Sequence, residues 1–194
     1  MVHVPFSDWT LGKSLGVDEA ICGTEDERNR AMVGQLVKWV EELTAERKPY
    51  ATALGASKFL WLTTYFGREV VDETAFQVVP LLPAPPGPIL PSGLADTEWS
   101  IMDGITLGAT MYYVREHRSA DPTLHFHELV HIVQYRLLGI EKFLDIYVQE
   151  HTSRGYRANR LEQMAYSAEA AFNRGKTFKI APILRHHLHQ CGWI

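Results

Sequence analysis

The sequence predicts an α+β domain in which a small sheet packs on two helices, one carrying an H-E-x-x-H motif and the other a glutamate. Three observations carry that reading. A long helical pattern comes first, short stretches of period two follow at 76–79 and 104–114, and after Asp121-Pro122 the apolar period becomes helical again. At 194 residues the chain suits a single domain, 1–194. Apolar residues at 46% and charged residues at 22% are globular values, which excludes a wholly disordered chain. A formal charge of −4 without a basic stripe argues against a nucleic-acid partner.

Thr24 and Glu27 have capping-box spacing, and Ala31, Met32, Leu36, Val37, Val40 and Leu43 recur at helical intervals. A helix is therefore predicted over 24–46, ended by Pro49. Residues 51–79 are mixed: KFLWLTTYF fits a helix or a buried strand, and FQVV at 76–79 reads as a strand. Residues 80–91 hold six of the ten prolines, which excludes a central strand or a helix interior. The expectation is an extended surface loop, with a proline-rich partner ligand as the alternative. GITLGATMYYV, 104–114, reads as one strand, with Ile105, Leu107, Ala109, Met111 and Tyr113 on one face and Thr106, Gly108, Thr110 and Tyr112 on the other.

Asp121 is a plausible N-cap and Pro122 fits the first helical position, so a helix is predicted from there to about 138, stopping at Gly139. A second helix over about 140–153 ends near Gly155. Asn159 caps a third over about 160–173, which stops near Gly175. The tail, 176–194, reads as a short strand or loop and then a helix. Cys22 and Cys191 are too few for a disulfide framework and read as free thiols in a reducing compartment. The opening MVHVPFSDWTLGKSLGVDEA lacks a basic segment followed by an apolar run, and no apolar run is long enough to span a bilayer. The expectation is a cytoplasmic protein without a membrane partner.

The chemistry lies in His127-Glu128-Leu129-Val130-His131. Four residues along a helix bring two side chains to within about 40° of one another, so both imidazoles can converge on one zinc ion. Glu128 follows the first histidine and can flank the metal without binding it, where a general base belongs. The plain alternative is a helix with two exposed histidines. Leu124, Leu129, Val130, Ile132 and Val133 argue against it, because they make this helix a buried one whose polar side chains need partners.

A catalytic zinc takes three protein ligands and keeps one position open. On the third helix, Leu161, Met164, Ala165, Ala168 and Phe172 form an apolar stripe, and the small Ala165 and Ala168 permit close approach. Glu162 in its first turn is the candidate third ligand; Glu169, seven residues on, is the alternative or a hydrogen-bond partner of a ligand histidine. For the oxyanion donor the candidates are Tyr156, His151 and Tyr166, in that order, against ordinary packing for each. His125 is expected to point away from the metal, and Gln134 and Tyr135 to serve packing and hydrogen bonding. His186, His187 and His189 read as a solvated surface.

HELVHIVQY followed by YRANRLEQMAYSAE resembles the gluzincin branch of the zincin metallopeptidases, closest to small bacterial mini-zincin domains. The resemblance covers about 104–172 and implies a zincin-like fold: a strand along the cleft, an active-site helix and a glutamate helix. It implies His127, His131 and Glu162 as zinc ligands and Glu128 as general base. Larger gluzincins often carry an acidic residue four positions after the ligand glutamate, where this chain has Tyr166. The expected activity is hydrolysis of a peptide or protein substrate, with Glu128 passing a proton from water to the leaving amine. A zinc- and peptide-binding module without turnover is the rival, and a closed structural zinc site the third option.

Overall fold

The computed structural model describes residues 24–85 and 102–194. Among them the order is α1 (Glu25–Arg47), β1 (Thr52–Ala53), α2 (Thr63–Phe66), α3 (Arg68–Glu73), β2 (Ala75–Val78), β3 (Gly104–Leu107), β4 (Thr110–Tyr113), α4 (Pro122–Leu138), α5 (Ile140–Arg154), α6 (Arg160–Asn173) and α7 (Ile180–Gln190). The class is α+β. The strands form one sheet in the order β1-β2-β4-β3, with β2 and β4 parallel and the other pairs antiparallel.

Helix ends follow local chemistry. The capping box of α1 is complete: Glu27 N donates to Thr24 Oγ1 at 3.3 Å and Thr24 N to Glu27 Oε2 at 2.7 Å. At α4, Asp121 Oδ1 accepts from Thr123 N at 2.9 Å and Leu124 N at 3.4 Å, and Pro122 takes the first position. Gly139 ends α4 at φ 80, a left-handed conformation that favours glycine. Asn159 Oδ1 caps α6 by accepting from Leu161 N at 2.9 Å. The tail is a loop and then α7, with His186, His187 and His189 exposed.

Three expectations are corrected. KFLWLTTYF is neither one helix nor a strand: a single 3-10 turn, Leu60–Leu62, leads into the four-residue α2. GITLGATMYYV is a hairpin, with Leu107 opposite Thr110 and Gly108 at φ 60 in the turn. Folding back over two residues reverses the face assignment of the second half. Thr106 pairs with Met111 and Gly104 with Tyr113, so these four share one face, while Ile105, Leu107, Thr110 and Tyr112 share the other. An unbroken apolar alternation hid the turn. In the proline-rich stretch, residues 80–85 are extended but not simply surface, since Leu82, Pro83 and Pro85 are buried; 86–91 lie outside the described residues. So does Cys22, while Cys191 is a free thiol.

The hairpin's two faces belong to two apolar clusters. Met111 and Tyr113 join Phe126, Leu129 and Val130 of α4 with Ala165 and Ala168 of α6. Leu107 and Tyr112 join Leu36 and Val40 of α1 and Phe143 and Leu144 of α5. Full burial of such side chains contributes about 1.5–3 kcal/mol each before chain entropy is charged against it. The packing fixes α4 between the sheet and α6, with its H-E-x-x-H turn wholly buried. No helix among the described residues is long and apolar enough to cross a membrane.

Candidate metal centre

His127 and His131 project from the same face of α4, and Glu162 reaches them from the first turn of α6. The three side chains are buried, and their donor atoms cluster as a group that could hold a metal ion. Nε2 of His131 lies 3.2 Å from Nε2 of His127. Glu162 Oε2 lies 3.4 Å from the first histidine's Nε2 and 3.6 Å from the second's. Donors bound to a tetrahedral zinc at about 2.0–2.2 Å stand about 3.3–3.6 Å apart, so this triangle is of the right size.

Hydrogen bonding points all three donors inward. His127 Nδ1 faces Glu169 Oε2 at 2.9 Å and His131 Nδ1 faces Gln134 Oε1 at 2.8 Å. Both partners are acceptors, so each Nδ1 carries a hydrogen and Nε2 is the nitrogen that each ring turns towards the centre. Gln134 Nε2 donates to Leu161 O at 3.0 Å, which fixes its amide orientation. Tyr147 Oη donates to Glu162 Oε1 at 2.8 Å, while Glu162 Oε2 is buried without a hydrogen-bond partner. Three converging lone pairs out of water need a proton or a cation among them.

The electrostatics run the same way. Burial alone would lower the pKa of His127, but the Glu162 and Glu169 carboxylates outweigh it and hold the ring at about 10. His131 is also raised, because Glu162 overcomes the cost of burial. Burial would raise Glu162, yet His131 and His127 hold it well below the usual carboxylate range. The cluster stabilises positive charge at its centre.

Glu128 lies beside this group without joining it. Thr106 Oγ1 donates to Glu128 Oε2 at 2.6 Å and also lies 3.1 Å from the Glu128 carbonyl oxygen. A Cβ at Gly104 would stand 3.2 Å from Glu128 Oε1 and 3.0 Å from Tyr113 Cδ1, so glycine leaves the carboxylate its room. A mainly apolar cavity extends from the cluster between β3, α1 and α5, with Trp39, Ile105, Leu144 and Val148 in its walls. A more polar cleft shares His127, Glu128 and Tyr156 with it and adds Tyr166, Glu169 and Arg157. The cluster therefore sits where two depressions meet.

His127 and His131 converge as the motif spacing led one to expect, Glu162, the candidate third ligand, joins them from α6, and Glu169 takes the supporting position on His127. Tyr156 lines both depressions, with its hydroxyl 3.2 Å from that of Tyr166, whose ring lies 4.7 Å from the His127 ring. Burial first, and then the Glu162 charge, raise the Tyr156 pKa, so the phenol keeps its proton. His151 lines the apolar cavity. His125 points away, bonded to Tyr113 Oη at 2.9 Å and Ser119 O at 2.7 Å, and burial lowers its pKa to about 4. Two contributors escaped the sequence reading, Thr106 on Glu128 and Tyr147 on Glu162, while Gln134, expected to serve packing and hydrogen bonding, bridges His131 to α6. Nothing local marks a threonine or a tyrosine for such work; their partners Glu128 and Glu162 lie 22 and 15 residues away. Comparison with family models, with curated proteins and with solved structures gives no match to this chain.

Proposed function

We propose that this chain is a zinc-dependent peptide-bond hydrolase of zincin-like fold, with His127, His131 and Glu162 as zinc ligands and Glu128 as general base. The observation that carries the reading is the buried triangle of two Nε2 atoms and an orphaned Glu162 Oε2, with the Glu128 carboxylate beside it in an open cavity. The donor set suits zinc, because imidazole and carboxylate together match its borderline character. Bound there, zinc supplies a Lewis acid that acidifies water towards a pKa of about 7.

The chain's own residues do the rest. Glu128, anchored through Oε2 to Thr106, leaves Oε1 to take a proton from the attacking water and return it to the leaving amine. Tyr156 keeps its hydrogen and donates to the oxyanion. β3, the last strand in the sheet order, lines the cavity, and an extended peptide could add to it as a further strand.

The test is metal analysis of the purified chain together with cleavage of a broad peptide library. About one zinc per chain is expected, lost in His127→Ala and in His131→Ala, with cleavage that disappears in Glu128→Gln while zinc stays. Full zinc content in His127→Ala sinks the metal assignment. A zinc-loaded wild type that binds peptides but cleaves none makes the protein a zinc- and peptide-binding module instead.

A further inference from the structure

The two oxygens of Glu162 have different surroundings. Oε1 accepts the Tyr147 hydroxyl at 2.8 Å. Oε2 is buried, takes no hydrogen bond, and faces the two histidine Nε2 atoms at 3.4 and 3.6 Å. A carboxylate free at both oxygens can bind a divalent cation through one or both of them. A carboxylate with one oxygen engaged by a half-buried phenol offers its other oxygen more readily.

Tyr147 is itself held in place. Its ring lies in a ladder on one face of α5, 5.8 Å from Phe143 at an interplanar angle of 25° and 6.4 Å from His151 at 22°. Its carbonyl accepts from Asn159 Nδ2 at 3.3 Å. Asn159 is the cap of α6, so one residue of α5 grips the first turn of α6 by its backbone and the Glu162 carboxylate by its side chain. The carbonyl contact ties the Tyr147 backbone to that cap, and the ring ladder holds its side chain.

We propose that Tyr147 is a positioning residue that restricts Glu162 to a single metal-binding oxygen, and so keeps the rest of the ion's coordination sphere open. The inference rests on the metal reading above and is independent of whether the centre hydrolyses peptides. It assigns to α5 a part that neither the H-E-x-x-H motif nor the glutamate helix supplies.

The experiment loads the full chain with Co²⁺, whose visible d–d absorption is intense in four-coordinate sites and weak at higher coordination. Wild type is expected to give the intense spectrum. Tyr147→Phe removes the hydroxyl and keeps the ring; it is expected to weaken the absorption per cobalt, as Glu162 swings to bind through both oxygens, and to lower zinc affinity about 10-fold or more. Circular dichroism on both proteins reports the fold. Should Tyr147→Phe not fold, zinc X-ray absorption on wild type decides: one carboxylate oxygen in the first shell supports the proposal, and two overturn it. A wild type that takes up cobalt with a spectrum Tyr147→Phe leaves unchanged overturns this inference alone. A wild type that takes up no metal overturns the metal centre and this inference with it.

Discussion

Glu169 Oε2 lies 2.9 Å from His127 Nδ1, while Glu162, seven residues earlier on the same helix, turns its own Oε2 towards Nε2 of that ring at 3.4 Å. One histidine thus has a carboxylate facing each of its two ring nitrogens, the two lying two turns apart on α6. The spacing matters because seven residues nearly complete two helical turns. Position 166, one turn from Glu162, holds a tyrosine that packs on the His127 ring instead.

Glu162→Ala should therefore abolish metal binding, because it deletes a donor. Glu169→Ala leaves all three donors and removes only the acceptor that orients His127, so zinc affinity should fall about 10–100-fold. Competition with a chromophoric chelator measures both. Equal losses in the two variants would refute this division of labour.

Gln134 is fully buried and ties His131 Nδ1 to the Leu161 carbonyl. Gln134→Leu should lower zinc affinity about 10-fold and also destabilise the metal-free protein by about 1–3 kcal/mol, since it leaves the buried His131 Nδ1 without its acceptor. Denaturant unfolding with and without zinc separates the two effects. A variant as stable as wild type without metal would mean that the α4–α6 bridge contributes nothing.

Gly104→Ala should damage activity more than stability. The new methyl meets Tyr113 at 3.0 Å and Glu128 Oε1 at 3.2 Å, so the carboxylate must give way by a few tenths of an ångström. A misplacement of the base costs up to about 100-fold in kcat, with zinc content unchanged. Unaltered kcat in a zinc-loaded Gly104→Ala protein would place the working base elsewhere.

Glu150 joins α5 to the start of α6, accepting from Arg160 Nη2 at 2.6 Å, Nε at 3.0 Å and the backbone N at 3.2 Å. Arg160's hydrogen bonds hold the Glu150 carboxyl below its ordinary value of 4.5 against the opposing effect of burial. A carboxyl lowered in the folded state stabilises the protein above its unfolded pKa, and that contribution disappears as pH falls through the folded one. Glu150→Gln should thus destabilise at pH 7 and lose that effect progressively as pH falls below 4.5. Unfolding midpoints measured across that range check the sign; a penalty that grows in acid contradicts it.

What was legible in the sequence is what one turn of chain decides. A capping oxygen bonds an amide two or three residues away, as Thr24, Asp121 and Asn159 do, and a terminating glycine sits at the last carbonyls, as Gly139 does. The convergence of His127 and His131 follows from helical pitch alone. Glu162 was legible at one remove, from the need for a third donor on a helix with small residues facing α4.

The tertiary structure decided the rest, because its contacts are set by register and packing between elements. The 104–114 hairpin shows why: folding back at Gly108 moves Thr106 onto the face of Met111 and Tyr113, and only that face meets Glu128. Which oxygen of Glu162 remains for a metal depends on Tyr147, and which nitrogen of His131 does depends on Gln134. No periodicity in the chain encodes these choices: Tyr147 meets Glu162 across two elements, and the Gln134 amide, though on the same helix as His131, takes its orientation from the Leu161 carbonyl of α6.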